Sequence, residues 1–149
     1  MKKDMLKKSS MFLYIALLQS LAATLGSLFF SEVMKFPPCL LCWYQRIAMY
    51  PVVLIIAVSI LIKDKKVALY VLPLSIVGTL IALYHNLLYY NLIPHSIEPC
   101  VLGVSCTTKY IEWFGFVTIP FLSLIGFLII DVCMIVHWRS NRQEITGRS

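Results

Sequence analysis

The stretch of chain from 67 to 90 reads VALYVLPLSIVGTLIALYHNLLYY and contains no Asp, Glu, Lys or Arg. A bilayer core about 30 Å thick is crossed by roughly 20 apolar residues in an α-helix, so this run is long enough to span a membrane. Pro73 lies inside the run, and membrane helices tolerate such a proline because neighbouring groups satisfy the freed backbone. The stretch is therefore predicted to be a transmembrane helix.

Three further segments of the chain are long and apolar in the same way. They cover about 11–30, 43–62 and 113–136. Their only charged residues are Arg46 and Asp131. Short connectors and two polar tails make up the rest of the 149 residues. We therefore predict an all-α membrane protein, a four-helix transmembrane bundle in which residues 1–149 form a single domain.

The composition excludes the main soluble alternatives. Hydrophobic residues make up 60% of the chain and charged residues 13%, whereas soluble domains average about 45–50% and about 25%. A disordered chain would need low hydrophobicity and high net charge. The net charge of +6 does not indicate nucleic-acid binding, because the Lys and Arg residues lie in short clusters between apolar runs and not along one face of a soluble fold.

The distribution of Lys and Arg predicts the orientation in the membrane. Ten of these residues lie in the amino-terminal tail, the 63–66 connector and the tail after Trp138, and three lie on the other side. Positive residues are concentrated in the cytoplasmic segments of membrane proteins. Both termini are therefore expected in the cytoplasm, and the connectors 31–42 and 91–112 are expected to face outward.

The chain has five cysteines, and this topology separates four from the fifth. Cys39, Cys42, Cys100 and Cys106 fall on the outer side, where disulfides persist. Cys133 lies deep in the fourth predicted span, where a free cysteine usually acts as a small packing residue. Three interpretations compete for the outer four: a redox relay, two structural disulfides and a zinc site.

The first outer pair has the chemistry of a redox site. Cys39 and Cys42 form a C-x-x-C at the start of a predicted helix, and both the motif and the helix N-terminus favour a thiolate. Arg46 lies four residues beyond Cys42, on the same helical face. An arginine in a span is a functional-site hypothesis, and snorkelling to the outer surface is its structural alternative. Gln45 and His85 are further polar candidates, of which the lone histidine is expected to be interfacial.

The second outer pair, Cys100 and Cys106, is separated by five residues. A loop this small is a weak stabilising crosslink, because the entropic benefit shrinks with loop length. The interval also exceeds the usual short spacing of zinc ligands. A glycine-containing loop with two exposed cysteines suits thiol–disulfide exchange with another protein. The redox relay is therefore preferred, while structural disulfides and a metal site stay open.

The stretch 38–46, PCLLCWYQR, resembles the signature of the bacterial DsbB family of disulfide bond formation proteins. The four-span layout and the second outer cysteine pair are similar to that family too, so the resemblance covers nearly the whole chain. The short connectors and short second pair are most similar to its Bacillus-type branch, the BdbC group. Longer family members have a much longer second outer loop between its two cysteines.

The resemblance implies a thiol:quinone oxidoreductase of the bacterial cell membrane that supports disulfide formation in exported proteins, with its redox cysteines extracytoplasmic. By motif position, Cys100 and Cys106 would exchange with a thioredoxin-fold dithiol oxidase, DsbA-like or BdbD-like. Cys39 and Cys42 would pass the electrons on. Cys42 would face a membrane quinone, menaquinone or ubiquinone, and Arg46 would stabilise the Cys42 thiolate and the developing quinone anion. No metal cofactor and no nucleic acid are expected.

Other classes of protein make different predictions. A non-enzymatic tetraspan scaffold or transporter subunit would hold two permanent disulfides that resist mild thiol reagents, whereas relay cysteines exchange. A vitamin K epoxide reductase-like enzyme would carry its C-x-x-C on the last core helix, and the fourth segment here lacks one. A metal-handling protein would bind zinc or copper.

Overall fold

The computed structural model describes residues 2–92 and 118–146, with side chains described for 9–92 and 118–142. Its four α-helices are α1 (Lys2–Leu28), α2 (Leu40–Ile62), α3 (Val67–Tyr89) and α4 (Ile119–Thr146). A π-helix, Phe29–Val33, continues α1. No strand occurs within the described ranges. The predicted all-α, four-helix fold is confirmed, while the predicted start of the fourth span at 113 lies outside the described residues.

All four helices are long and apolar enough to cross a membrane. The qualifying stretches are Ser9–Val33, Leu40–Ile62, Val67–Tyr89 and Ile119–Arg142. Large apolar side chains also cover the outside of the bundle, where Leu61 is 81% exposed and Leu54 67%. Contiguous apolar surface of this kind is a liability in water and is the expected surface of a helix bundle in lipid.

The start of α2 is set by local chemistry. Pro37 and Pro38 precede it, and a proline lacks the N–H that a continuing helix would need. Cys39 is the N-cap, with extended backbone (ψ 169°), and its sulfur accepts the Cys42 N–H at 3.4 Å. The helix therefore begins at Leu40, ahead of the predicted start at 43, and the first cysteine is its cap.

The four helices pack in a ring, in which α1 and α3 each contact both α2 and α4. Gly78 of α3 leaves room for the Phe127 ring of α4, because a Cβ at this glycine would collide with that ring. At Gly126 a Cβ would lie 3.3 Å from Gln19 Nε2, and at Gly26 it would meet nothing within 4 Å. The glycine that permits close α3–α4 packing is therefore Gly78.

Several polar side chains inside the bundle are paired across helices. Asp131 of α4 accepts a hydrogen bond from Thr79 of α3 at 2.7 Å through Oδ2, while its Oδ1 has no partner among the described residues. Ser9 Oγ of α1 donates to Asn141 Oδ1 at 3.1 Å and lies 3.0 Å from His137 Nδ1. Such contacts hold helices together where the surrounding lipid offers no hydrogen bonds.

Candidate functional site

The two cysteines of the C-x-x-C lie where α2 begins and α3 ends. Their Sγ atoms are 2.7 Å apart, somewhat beyond the S–S bond length of about 2.05 Å. Cys39 is buried, with 6% of its surface exposed, and Cys42 is half-buried. The pair is therefore placed to interconvert between a dithiol and a disulfide with little backbone movement.

His85 of α3 lies against the first cysteine. Its side chain is 2% exposed, and its Nε2 is 3.8 Å from Cys39 Sγ. On its other side, Gln45 Nε2 lies 3.1 Å from His85 Nδ1, and Ser123 Oγ of α4 donates to Gln45 Oε1 at 2.6 Å. An amide NH₂ only donates, so Nδ1 accepts and the neutral ring carries its proton on Nε2. The Ser123–Gln45–His85 row thus points an N–H donor at the Cys39 sulfur.

Cys39 has an acidic thiol. The adjacent Cys42 thiol, then the His85 ring, and then the Cys42 N–H lower the pKa of Cys39 to about 4, against the opposing effect of burial. The thiolate is the nucleophilic form of cysteine, and a thiol of low pKa is the better leaving group in exchange. The surroundings of Cys39 therefore favour the thiolate form in the reduced site.

Arg46 lies one helical turn beyond Cys42 on α2. Its Nε and Nη2 donate to the hydroxyl and the carbonyl oxygen of Ser27 in α1, both at 2.8 Å. Its guanidinium is 5.6 Å from the centroid of the Trp43 ring. Just beyond Ser27 the chain enters the π-helix Phe29–Val33, a feature frequent at functional sites. The cation is thereby held between α1 and α2.

A cavity of about 330 Å³ opens beside these groups. Both cysteines, Arg46 and His85 line it, together with Thr24 of α1, whose buried Oγ1 has no hydrogen-bond partner among the described residues. Much of the wall is aromatic, from Phe30, Phe36, Tyr50, Tyr89 and Phe127. A volume of this size with apolar walls and a few convergent polar groups is typical of small-molecule sites.

The structure brings three of the five predicted site residues to one cavity: Cys39, Cys42 and Arg46. Cys100 and Cys106 lie outside the described residues. Cys133 is 5% exposed within the apolar core, where a packing role was expected. The C-x-x-C pair and the lone fourth-helix cysteine therefore have different surroundings.

His85 was expected to be interfacial, and the structure shows its side chain buried against the dithiol. One signal was present, since an ionisable residue inside an apolar run is by default a functional candidate. Gln45 was named as a candidate without a role, and it proves to hold the histidine ring. Ser27 and Ser123 carried no signal, because serine is unremarkable in a membrane helix and their contacts arise only between helices.

An acidic dithiol beside an apolar cavity in a four-helix membrane bundle defines a membrane-embedded disulfide oxidoreductase. A model of the family described as disulfide bond formation protein DsbB matches residues 9–137. The chain belongs to the DsbB family of disulfide bond formation proteins. It is accordingly a multi-pass membrane protein with a role in disulfide oxidation.

Curated relatives cover most of the chain. The "disulfide bond formation protein C" of Bacillus subtilis (strain 168) is 50% identical over 131 residues, which are 87% of this chain and 94% of the relative. The "probable disulfide formation protein C 1" of Bacillus anthracis has the same identity and coverage. A "probable disulfide formation protein" of Oceanobacillus iheyensis is 44% identical over 143 residues, 95% and 99% of the two chains. No solved structure matches. The resemblance to the Bacillus-type branch is confirmed.

Proposed function

We propose that this chain is a thiol:quinone oxidoreductase, which reoxidises an extracytoplasmic thioredoxin-fold dithiol oxidase and passes the electrons to a membrane quinone. In this proposal both termini are cytoplasmic and the redox cysteines face outward from the bacterial cell membrane. The observation that supports the proposal most directly is that the two cysteines and the arginine line the same cavity. Cys39, Cys42 and the held cation Arg46 line one largely apolar cavity of about 330 Å³ among membrane-spanning helices.

The residues of the cavity fit a quinone. Aromatic side chains offer flat apolar walls, Arg46 supplies positive charge, and the Thr24 hydroxyl lacks a partner among the described residues. A bound quinone supplies the acceptor for two electrons and two protons. Positive charge at the site stabilises the negative charge that develops on an oxygen during reduction. Burial within the bundle excludes water and strengthens that effect.

Electrons enter through the second cysteine pair. A thiolate of the reduced partner attacks the Cys100–Cys106 disulfide, and the partner leaves oxidised while these two cysteines become a dithiol. A thiolate of that dithiol then attacks the disulfide between Cys39 and Cys42. The second pair is reoxidised, and the first pair now holds two electrons as one thiolate and one thiol, so one proton stays on the pair and the other is released.

The two sulfurs of the first pair have different tasks. Cys42 is half-buried and lines the cavity, so it is the sulfur that gives electrons to the acceptor. Cys39 is more deeply buried, and its thiolate accepts the hydrogen bond of the His85 N–H. As two electrons leave, the Cys39 thiolate closes the disulfide onto Cys42. His85 is thus a positioning residue for the thiolate that restores the oxidised state.

Anaerobic mixing tests this function directly. The purified protein is combined with a reduced thioredoxin-fold dithiol oxidase and a soluble quinone, and quinone absorbance is followed. Cys42→Ser should abolish quinone reduction while Cys100 and Cys106 still exchange with the partner. Cys133→Ser, a substitution in the apolar core, is the control and should turn over normally. Quinone reduction by Cys42→Ser at the normal rate contradicts the assignment, and disulfides that resist mild thiol reagents would favour a tetraspan scaffold.

A further inference from the structure

We propose that the reduced site binds one thiophilic divalent cation, Zn²⁺ or Cd²⁺, between Cys39, Cys42 and His85, and that this cation inhibits turnover. The two Sγ atoms and the ring nitrogen all lie within 4.8 Å of one another. Binding itself does not depend on the function proposed above, whereas the inhibition rests on it. The cation is an inhibitor of the reaction and not its cofactor.

The distances between the three ligand atoms suit a tetrahedrally coordinated ion. With Zn–S near 2.3 Å and Zn–N near 2.0–2.1 Å, bound sulfur and nitrogen lie about 3.5 Å apart and two bound sulfurs about 3.7 Å apart. Cys39 Sγ is 3.8 Å from His85 Nε2, close to the first value. The 2.7 Å between the sulfurs must open by about 1 Å to reach the second value. Rotation of the half-buried Cys42 side chain supplies that movement.

The donor set selects soft metals. Thiolate and imidazole ligands suit zinc and its heavier relatives, whereas magnesium and calcium require oxygen ligands. The cation displaces the remaining thiol proton and transfers no electrons, so the balance is one of protons alone. Three protein ligands leave one tetrahedral position free, and water can occupy it. A disulfide provides no thiolate, so the oxidised site cannot bind.

The neighbouring side chains also fit the metal-bound state. When Nε2 binds a cation, the ring proton moves to Nδ1, and Gln45 must present Oε1 to accept it. Gln45 Nε2 then donates to Ser123 Oγ, because a hydroxyl both donates and accepts. Histidine ligands usually give their second N–H to an oxygen of this kind, which fixes the ring. The Ser123–Gln45–His85 row therefore serves either tautomer.

Cd²⁺ titration tests the site, with sulfur-to-cadmium charge-transfer absorbance as the readout. The protein is the full chain with Cys100→Ser, Cys106→Ser and Cys133→Ser, so that only the C-x-x-C thiols remain. We expect one Cd²⁺ per reduced chain and none per oxidised chain. His85→Ala should weaken binding by at least about 10-fold, since even the loss of an outer partner costs 10–100-fold. His85→Gln is the substitute where the alanine variant does not fold.

Two substitutions, Gln45→Glu and Gln45→Leu, are expected to change Cd²⁺ affinity in opposite directions, so they give a more discriminating test. A carboxylate only accepts from Nδ1–H, so it should fix the metal-binding tautomer and tighten Cd²⁺ binding, whereas Gln45→Leu should weaken it. Equal affinity in the His85 variants, binding by the oxidised chain, or weaker binding by Gln45→Glu would each overturn the proposal.

Measurements of quinone reduction distinguish a failure of the metal site from a failure of the proposed function. Zn²⁺ should inhibit quinone reduction by the unmodified chain, and a chelator should restore it. A chain that reduces quinone in metal-free buffer but binds no Cd²⁺ overturns the metal site alone. A chain that binds Cd²⁺ but never reduces quinone overturns the proposed function alone.

Discussion

His85 Nε2 lies 3.8 Å from Cys39 Sγ, although 46 residues separate the two in the chain. The contact exists because α3 packs against α2, so that the end of one helix meets the N-cap of the other. It places an N–H donor on a sulfur that also accepts the Cys42 N–H at 3.4 Å. Two donors on one sulfur favour the thiolate form of Cys39, and both sulfurs line the cavity.

The first prediction concerns the pH dependence of that thiolate. Because the folded protein lowers the pKa of Cys39 to about 4, the thiolate should persist at neutral pH and be lost only as the pH falls through about 4. Thiolate absorbance near 240 nm measures it, in reduced protein whose other three cysteines are serine. His85→Leu should raise the midpoint, because the ring no longer stabilises the anion. A midpoint near the ordinary cysteine value in the parent protein would contradict the assignment.

The second prediction concerns Ser123, which donates to Gln45 Oε1 at 2.6 Å. Ser123→Ala leaves that buried oxygen without its donor, and we expect a loss of about 1 kcal/mol in unfolding free energy. It should also raise the Cys39 pKa, because Gln45 no longer holds His85. Thermal unfolding and the thiolate titration measure the two effects. Ser123→Thr keeps the hydroxyl and should restore the titration.

Ser59 provides the matched control for Ser123. Its buried hydroxyl donates to Ile56 O within α2 at 2.8 Å and belongs to no inter-helix row. Ser59→Ala should therefore leave the thiolate titration unchanged. A shift in that variant as large as in Ser123→Ala would show that the row has no special role.

The third prediction concerns Arg46 and its two hydrogen bonds to Ser27. Arg46→Gln removes the charge from the cavity wall. Since a charge-assisted hydrogen bond contributes about 1.5–3 kcal/mol, the KM for quinone should rise at least about 10-fold. Steady-state quinone reduction measures it. Arg46→Lys should recover only part of the affinity, because lysine lacks the planar fork that reaches both oxygens.

Arg142 is the matched control for Arg46. It lies over the Trp138 ring at 5.4 Å, much as Arg46 lies 5.6 Å from Trp43, but in α4 beyond the cavity. Arg142→Gln should leave the KM unchanged. A quinone KM that is equally insensitive to Arg46→Gln would return Arg46 to a snorkelling role.

The fourth prediction concerns the contact between Gly78 and Phe127. Gly78→Ala forces a Cβ into the aromatic ring, and overpacking of this kind costs about 1–3 kcal/mol. Because Phe127 also lines the cavity, quinone affinity should fall as well. Thermal unfolding in detergent and the quinone KM measure both effects. Gly26→Ala meets nothing within 4 Å and should not destabilise the bundle, whereas adding Phe127→Leu to Gly78→Ala should recover stability.

The number of helices followed from sequence because it depends on a local quantity. An uninterrupted apolar run such as Val67–Tyr89 spans a bilayer whatever surrounds it, since length and hydropathy decide insertion. The start of α2 is also set locally, because Pro37 and Pro38 precede the cap residue Cys39, but the apolar run alone placed that start at 43 and not at Leu40. The C-x-x-C and its family signature are likewise contiguous in the chain, and the family comparison confirms that resemblance.

The surroundings of the dithiol were decided by tertiary structure alone. Three residues from the other helices reach α2: Ser27 of α1, His85 of α3 and Ser123 of α4. They do so only because the helices pack in a ring, in which each helix has one rotation about its axis and one register along its neighbours. An apolar run does not encode that rotation, since lipid-facing positions in these helices are hydrophobic as well as core-facing ones. Close packing at positions such as Gly78 selects it, and the polar contacts follow. Sequence therefore predicted which sulfurs are candidates for reaction, and packing determined which side chains surround Cys39 and Cys42.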